Sequence, residues 1–276
     1  MEFFEFYFNP KTKRSGVYSE AERSVKTKRE VNYETFCFET KKNKEKLGNL
    51  YMAGELKGSL SKNPYLLSNL ANIIKKEYYR PIENDTPPQG AGKNLQKALG
   101  KANEFLGSQI KNNLSLLGNL NFAVLTINQN FSLNFTKIGD IKIFLLKNNQ
   151  ILDTGKSIET EETRQLFQHI VVGKLEENDK ILILNKEIID LFEKENIFGE
   201  LMSAKKSEVK KIFKKKKRLF KKNSGFCFLI IVSSFVKKIF TFPKISFPKI
   251  NTKLKRTLIS LLILIILLIL GYLIFR

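Results

Sequence analysis

Asp140, in the run Lys137-Ile138-Gly139-Asp140-Ile141, is the residue with the best single claim to chemistry. A carboxylate is a hard oxygen donor of the kind that holds Mg²⁺ or Mn²⁺. The same side chain at the start of a hairpin also caps a turn, and one carboxylate does not hold a metal pair. His169, in QLFQHIVVG, is the only histidine. A zinc or catalytic site built on several histidines is therefore excluded, and a lone histidine reads first as a structural residue. Cys37 and Cys227 lie far apart in apolar runs and read as reduced core residues, neither a disulfide framework nor a metal site. Glu159, Glu161 and Glu162 form an acidic cluster suited to a helix start, where the dipole favours negative charge. The chain has no GxxxxGK[ST], GxSxG or CxxC, which removes support for several enzyme classes.

The charge is lopsided. Net charge is +21, from 48 Lys+Arg against 27 Asp+Glu. The basic residues concentrate toward the C-terminus, above all in Lys205 to Lys222 (KKSEVKKIFKKKKRLFKK). That stretch is either the solvated face of a helix or a surface for anionic lipid, with nucleic acid as the lower-ranked competitor. Leu258 to Phe275 (LISLLILIILLILGYLIF) carries no charge. As a helix it reaches roughly 27 Å, enough for the hydrocarbon core of a bilayer, and in lipid only a helix satisfies its own backbone. Lysines precede this run and only Arg276 follows it, so the positive-inside rule expects the N-terminal side in the cytoplasm of a single-pass, tail-anchored protein. The acidic, aromatic start MEFFEFYFNP is not a signal peptide.

The elements that must position these groups follow from periodicity. Strands are expected over Phe3–Phe8, Tyr33–Glu39 and Asn49–Ala53, with a loop over Lys11–Glu30 and a charged hairpin tip over Lys41–Lys46. Asn63 and Pro64 read as the start of a helix that Pro81 stops, and Arg80–Gly92 is a Pro/Gly-rich loop. A second helix is expected from about Asn94 to Leu117, with Leu95, Leu99, Ala102, Phe105, Leu106, Ile110, Leu114 and Leu117 as its apolar stripe. Hairpins follow around Gln129-Asn130 and Asn148-Asn149, then a strand over Ile181–Leu184 and a helix over Lys186–Glu195. A basic amphipathic helix over Glu208–Lys222 and a last strand over Phe226–Ser233 complete the expected domain, residues 1–235. Residues 236–257 are a basic Pro/Lys linker, and 258–275 the membrane helix. The order fits α+β layers in which helices cover two mainly antiparallel sheets.

Four segments, in order, resemble the metal-dependent protein phosphatases of the PPM (PP2C-like) family. LYMAGELKG (Leu50–Gly58) is similar to the family's VADGMGG-like turn. LQKALGKANEFL (Leu95–Leu106) is similar to its "al..an..i" helix. KIGDIKIFLLKNNQI (Lys137–Ile151) resembles the VGDSRaYLlRngkl hairpin, with Gly139 and Asp140 matching and Phe144 near the aromatic. LEENDKILILNKEIIDLF (Leu175–Phe192) resembles the segment that ends in SDGLtd, with Asp179 and Asp190 matching. FCFLIIV stands where the family's DNiTvivV strand stands. The resemblance implies an α-β-β-α sandwich and, in active members, two divalent metals that activate a water for attack on phosphate.

The departures carry the functional expectation. The positions that the resemblance assigns to metal carboxylates hold Gly54, Lys186 and, at about the DN pair, Gly225-Phe226. A lysine at such a position repels Mg²⁺ and partly substitutes for its charge. Glu55, beside the first lost position, supplies a ligand only if the turn is shifted. The expectation is a membrane-tethered pseudophosphatase with no metal, no cofactor and no catalytic residues, which binds an unidentified protein partner. The alternatives are an active Mg/Mn-dependent serine/threonine phosphatase with displaced ligands, and an unrelated membrane-anchored basic domain that binds nucleic acid or anionic lipid.

Overall fold

Side-chain alternation along one strand shows how the layers arise. In β4 (Asn49–Lys57), Leu50, Met52 and Leu56 pack with helices, whereas Tyr51 and Ala53 pack with residues of a second sheet. Both faces of the strand are therefore covered, and it reads as an almost unbroken apolar run. The computed structural model describes residues 1–8, 22–26, 31–39, 47–58, 65–80, 90–158 and 166–233. All of them belong to the unit Met1–Phe235.

The other strands are β1 (Glu2–Phe8), β2 (Glu22–Lys26), β3 (Val31–Phe38), β5 (Leu120–Ile127), β6 (Ser132–Ile138), β7 (Lys142–Lys147), β8 (Gln150–Asp153), β9 (Val171–Lys174), β10 (Lys180–Leu184) and β11 (Gly225–Ile231). They form two antiparallel sheets, in the orders β1-β11-β10-β7-β8 and β2-β3-β4-β5-β6-β9. The helices are α1 (Leu66–Tyr78), α2 (Ala91–Asn112), α3 (Ile189–Lys194), α4 (Ile197–Ser203), α5 (Lys206–Lys215) and α6 (Lys217–Phe220). The pair α1 and α2 covers the six-stranded sheet through Leu67, Leu70, Ile74, Leu95, Leu99 and Leu106. The four short helices cover the five-stranded sheet through Phe192, Phe198, Leu201, Val209, Phe213 and Phe220. Between the sheets lies a third apolar layer, with Tyr51, Leu125, Phe135, Ile183, Phe226 and Phe228 in it. The expected α-β-β-α sandwich is present.

Local chemistry explains the turns. Asn148 and Asn149 both take left-handed backbone (φ 51° and 59°), the two-residue turn that matches strand twist in a hairpin. Gly139, between β6 and β7, has φ +72°, and a Cβ there would run into Asn121 Oδ1 and the Leu120 carbonyl. Only glycine fits that approach.

Three expectations need correction. The segment expected as loop to Glu30 contains β2, which pairs antiparallel with β3. The second helix ends at Asn112, not Leu117. Asn113 turns extended (φ −152°), and its Oδ1 accepts from the Ser115 N–H at 3.1 Å, which starts a 3₁₀ turn instead. Leu114 and Leu117 thus leave the apolar stripe and are 71% and 38% exposed. The basic helix begins at Lys206, where Glu208 Oε2 accepts from the Lys205 N–H at 2.7 Å, and breaks at Lys216 into α5 and α6.

The Asn63-Pro64 cap, the tip at 41–46, the acidic cluster at 159–162, the linker 236–257 and the expected span 258–275 lie outside the described residues. Among the described residues, no helix is long and apolar enough to cross a membrane.

Candidate functional site

The alternation that seats Tyr51 and Ala53 between the sheets carries on to Glu55. Its side chain is 1% exposed. Cross-strand register sets Tyr33 on one side of Glu55 and Asn121 on the other, so β3, β4 and β5 present a polar row at one end of the inter-sheet layer. Asn121 Nδ2 donates to Glu55 Oε2 at 2.6 Å. From the facing sheet, Asn185, just past the end of β10, donates from Nδ2 to Glu55 Oε1 at 3.4 Å and to Glu187 Oε2 at 2.5 Å. Its Oδ1 accepts from the Phe226 N–H at 2.9 Å, which ties it to β11.

Lys57 closes the cluster. Its Nζ lies 2.6 Å from Glu187 Oε1 and 3.5 Å from Glu55 Oε2, so one ammonium stands between two carboxylates. Burial pushes the Glu55 carboxyl up to about 7; repulsion from Glu187 adds to this, and Lys57 and the Asn121 hydrogen bond oppose it. Burial disfavours the Lys57 ammonium, but Glu55 and Glu187 outweigh it and the net shift is upward. The Tyr33 hydroxyl, 3.2 Å from Ser224 Oγ, is pushed up by burial first and then by Glu55. A carboxyl near 7 suits proton transfer. Glu55, however, is enclosed, and both its oxygens are engaged within the protein.

The residues singled out from sequence divide around this cluster. Gly54 faces the opposite layer: a Cβ there would meet Phe122 Cδ2 at 2.6 Å and Leu67 Cδ2 at 2.7 Å. An aspartate at 54 would point into helix α1, and the inward residue of the pair is Glu55. Gly225 has no room for a side chain, because a Cβ would strike Asn185 Oδ1 and Ile188 Cγ2. Asp140 is linked to the cluster by its backbone, whose N–H donates to Asn121 Oδ1 at 2.8 Å. Its carboxylate turns outward and lies 3.8 Å from Lys186 Nζ, with both side chains about two-thirds exposed. Asp179 instead caps the turn into β10, accepting from the Glu176 N–H at 2.8 Å. Asp190 falls in the first turn of α3. His169 is exposed and outside the cluster, and Cys37 and Cys227 are free thiols.

Lys57, Asn121, Asn185 and Glu187 were not singled out. For Lys57 the sequence signal is phase, since residues 51, 53, 55 and 57 share one face of β4; the other three come from β5 and from the segment after β10 and carry no such local signal.

The donor set does not fit a pair of divalent metals. Among the described residues, no group of three or more His, Cys, Asp or Glu side chains could hold a metal ion. The two carboxylates that face each other already share a lysine.

No family model matches the chain, and no curated protein matches it by sequence. Solved structures do match. A bacterial serine phosphatase variant aligns with a TM-score of 0.55 and 13% identity over 83% of this chain and 96% of its own. A serine/threonine phosphatase of S. agalactiae aligns at 0.52 and 11%, over 77% and 98%. The catalytic domain of the serine/threonine phosphatase PstP, crystallised with two manganese ions, aligns at 0.50 and 12%, over 74% and 98%. Layer order, sheet pairing and these alignments agree, and the chain has the fold of the PP2C-type serine/threonine phosphatases.

Proposed function

We propose that this chain is a membrane-tethered pseudophosphatase: a PP2C-type sandwich that binds a regulatory or phosphorylated protein partner without hydrolysing it. The observation that carries this reading is Lys57, whose ammonium pairs with Glu187 and Glu55 at the polar end of the inter-sheet layer. A fixed monovalent cation there neutralises the carboxylates that a divalent metal needs as ligands. Asn121 and Asn185 direct amide donors at the oxygens of Glu55, which holds that carboxyl within the protein's own network. The uncharged run Leu258–Phe275 supports the tether, and the lysines before it favour a cytoplasmic orientation of the domain at the cell membrane.

A second reading keeps activity. Glu55 and Glu187 face one another, and displacement of Lys57 would leave two carboxylates for Mg²⁺ or Mn²⁺. The third alternative, an unrelated fold, does not survive the structural matches.

The test is Mn²⁺ titration calorimetry on the full chain in detergent, followed by phosphate release from a phosphopeptide in the same buffer. No heat and no release at millimolar metal is the expected result. Two-site binding with turnover, abolished by Asp140→Ala or Glu55→Gln, establishes the second reading instead.

A further inference from the structure

Helices α5 and α6 are fixed to the sheet by aromatic rings. Phe213 stacks on Phe6 with centroids 3.6 Å apart, and Phe220 on Phe8 at 4.0 Å. Val209, Phe213 and Phe220 are buried, whereas Lys210, Lys211, Lys214, Lys215, Lys217, Arg218, Lys221 and Lys222 are exposed. In α5, Lys210 with Lys214 and Lys211 with Lys215 form two i, i+4 pairs off the face buried by Val209 and Phe213; Lys217 and Arg218 of α6, and Lys221 and Lys222 just after it, add four more. Glu208 is the only acid between Lys205 and Lys222, and it caps α5. Lys206 pairs with Glu2 and Lys216 with Glu200. Among the described residues, no carboxylate forms an ion pair with the eight. Like charges at i, i+4 oppose helix formation, so the sequence maintains a strained, one-signed face on a rigid support.

We infer that this face is a docking plate for an anionic bilayer surface, which lays the domain against the membrane that tethers it. Two observations favour lipid over nucleic acid. Single-stranded nucleic acid is gripped by exposed aromatic platforms, and here both aromatics of the stretch are turned inward into ring stacks. The chain also continues through a basic linker to an uncharged apolar run. The 22 residues 236–257 of that linker reach at most about 75 Å even fully extended, so the face stays within reach of a bilayer that holds the run. A bilayer at the far end of the linker presents headgroups at millimolar effective concentration, so a weak electrostatic plate is engaged most of the time.

The inference rests on the tether of the proposed function, and its test separates the two. The full chain is incorporated into nanodiscs of phosphatidylcholine alone or with phosphatidylserine at about 7:3, and lysine acetylation is followed by mass spectrometry. In anionic discs, Lys210, Lys211, Lys214, Lys215, Lys221 and Lys222 are expected to label about fivefold more slowly than in neutral discs. The difference disappears at about 0.5 M NaCl, where the Debye length falls to a few ångströms. Three exposed lysines of α2, Lys93, Lys97 and Lys111, change less than about twofold, because attraction decays within a Debye length of the surface. Equal labelling in both discs, or the same slowing on α2, overturns the plate. A short oligonucleotide that protects the same lysines better than anionic discs reassigns the face and overturns the lipid partner. Failure to enter neutral discs, with protection retained in anionic ones, removes the tether and upholds the plate.

Discussion

The inter-sheet layer has two regions governed by opposite rules. Most of it is apolar: Phe226, Phe228, Ile230 and Ile183 from one sheet meet Tyr51, Ala53, Leu125 and Phe135 from the other. Each contact there is small and replaceable, and stability comes from area removed from water. At one end the same two sheets meet through Glu55, Lys57, Asn121, Asn185 and Glu187, where each group depends on named partners. The apolar region holds the sheets together regardless of the polar one. The polar region needs both sheets in register and returns little stability, because a partly exposed ion pair is screened by water and the buried Glu55 carboxyl costs desolvation.

Five substitutions test this contrast. The largest effect belongs to Gly54→Asp, which puts a charge against Phe122 and Leu67 on the helix-facing side. Overpacking plus an unpaired buried carboxylate costs about 4 kcal/mol or more, and no Mn²⁺ affinity appears in calorimetry. A gain of metal binding would show that residue 54, not 55, faces the site. Phe228→Ala, in the apolar region, loses about 3–5 kcal/mol in urea melts, independent of pH.

Lys57→Met leaves Glu55 and Glu187 facing each other without their cation. The expected loss is about 1–3 kcal/mol at pH 8, below that of a fully buried pair because the lysine is partly exposed. It shrinks near pH 5, and millimolar Mn²⁺ raises the melting temperature of this variant but not of the parent.

Glu55→Gln works in the other direction. The folded protein holds the Glu55 proton up to about 7, against an ordinary value of 4.5. Between those values the folded state binds more protons than the unfolded one, so this contribution to stability is complete below pH 4.5 and is lost as pH rises through 7. The difference is on the order of 3 kcal/mol. Glu55→Gln should flatten that slope and stabilise the protein at pH 8 by about 1–2 kcal/mol, since the Lys57 pairing is lost with it. An unchanged slope would assign the proton to another group. Lys186→Ala, which breaks the exposed pair with Asp140, changes stability by less than about 0.5 kcal/mol.

Much of the sandwich was legible in the sequence because its signals are local. The Asn-Asn turn, the apolar run of β10 and the helical stripe of α2 announce themselves within a few residues. The segment containing β2 did not, because Glu22–Lys26 (ERSVK) mixes charge into a short edge strand. Helix α4 hides behind Asn196, whose left-handed backbone separates it from α3. The polar cluster was half visible. Of the resemblance-derived positions, Gly54 lies one residue from Glu55 and Lys186 stands between Asn185 and Glu187, and β4 conceals its own phase because both faces are covered. Asn121 and Asn185 come from different sheets, and only tertiary register brings them to one carboxylate.

The pairing of β1 with β11, from Glu2 opposite Ile231 to Phe8 opposite Gly225, has a consequence in time. Among the described strands, the first in chain order pairs with the last. At about 5–20 residues per second, β11 follows β1 from the ribosome by roughly 10–40 s. Throughout that interval Phe3, Phe4, Phe6, Tyr7 and Phe8 have no sheet to join, and they form a short aromatic segment of the kind that nucleates cross-β aggregation. Glu2 and Glu5, spaced through the same strand, interrupt it with charge. The nascent chain thus carries its own protection at the described strand pair whose members are made furthest apart in time.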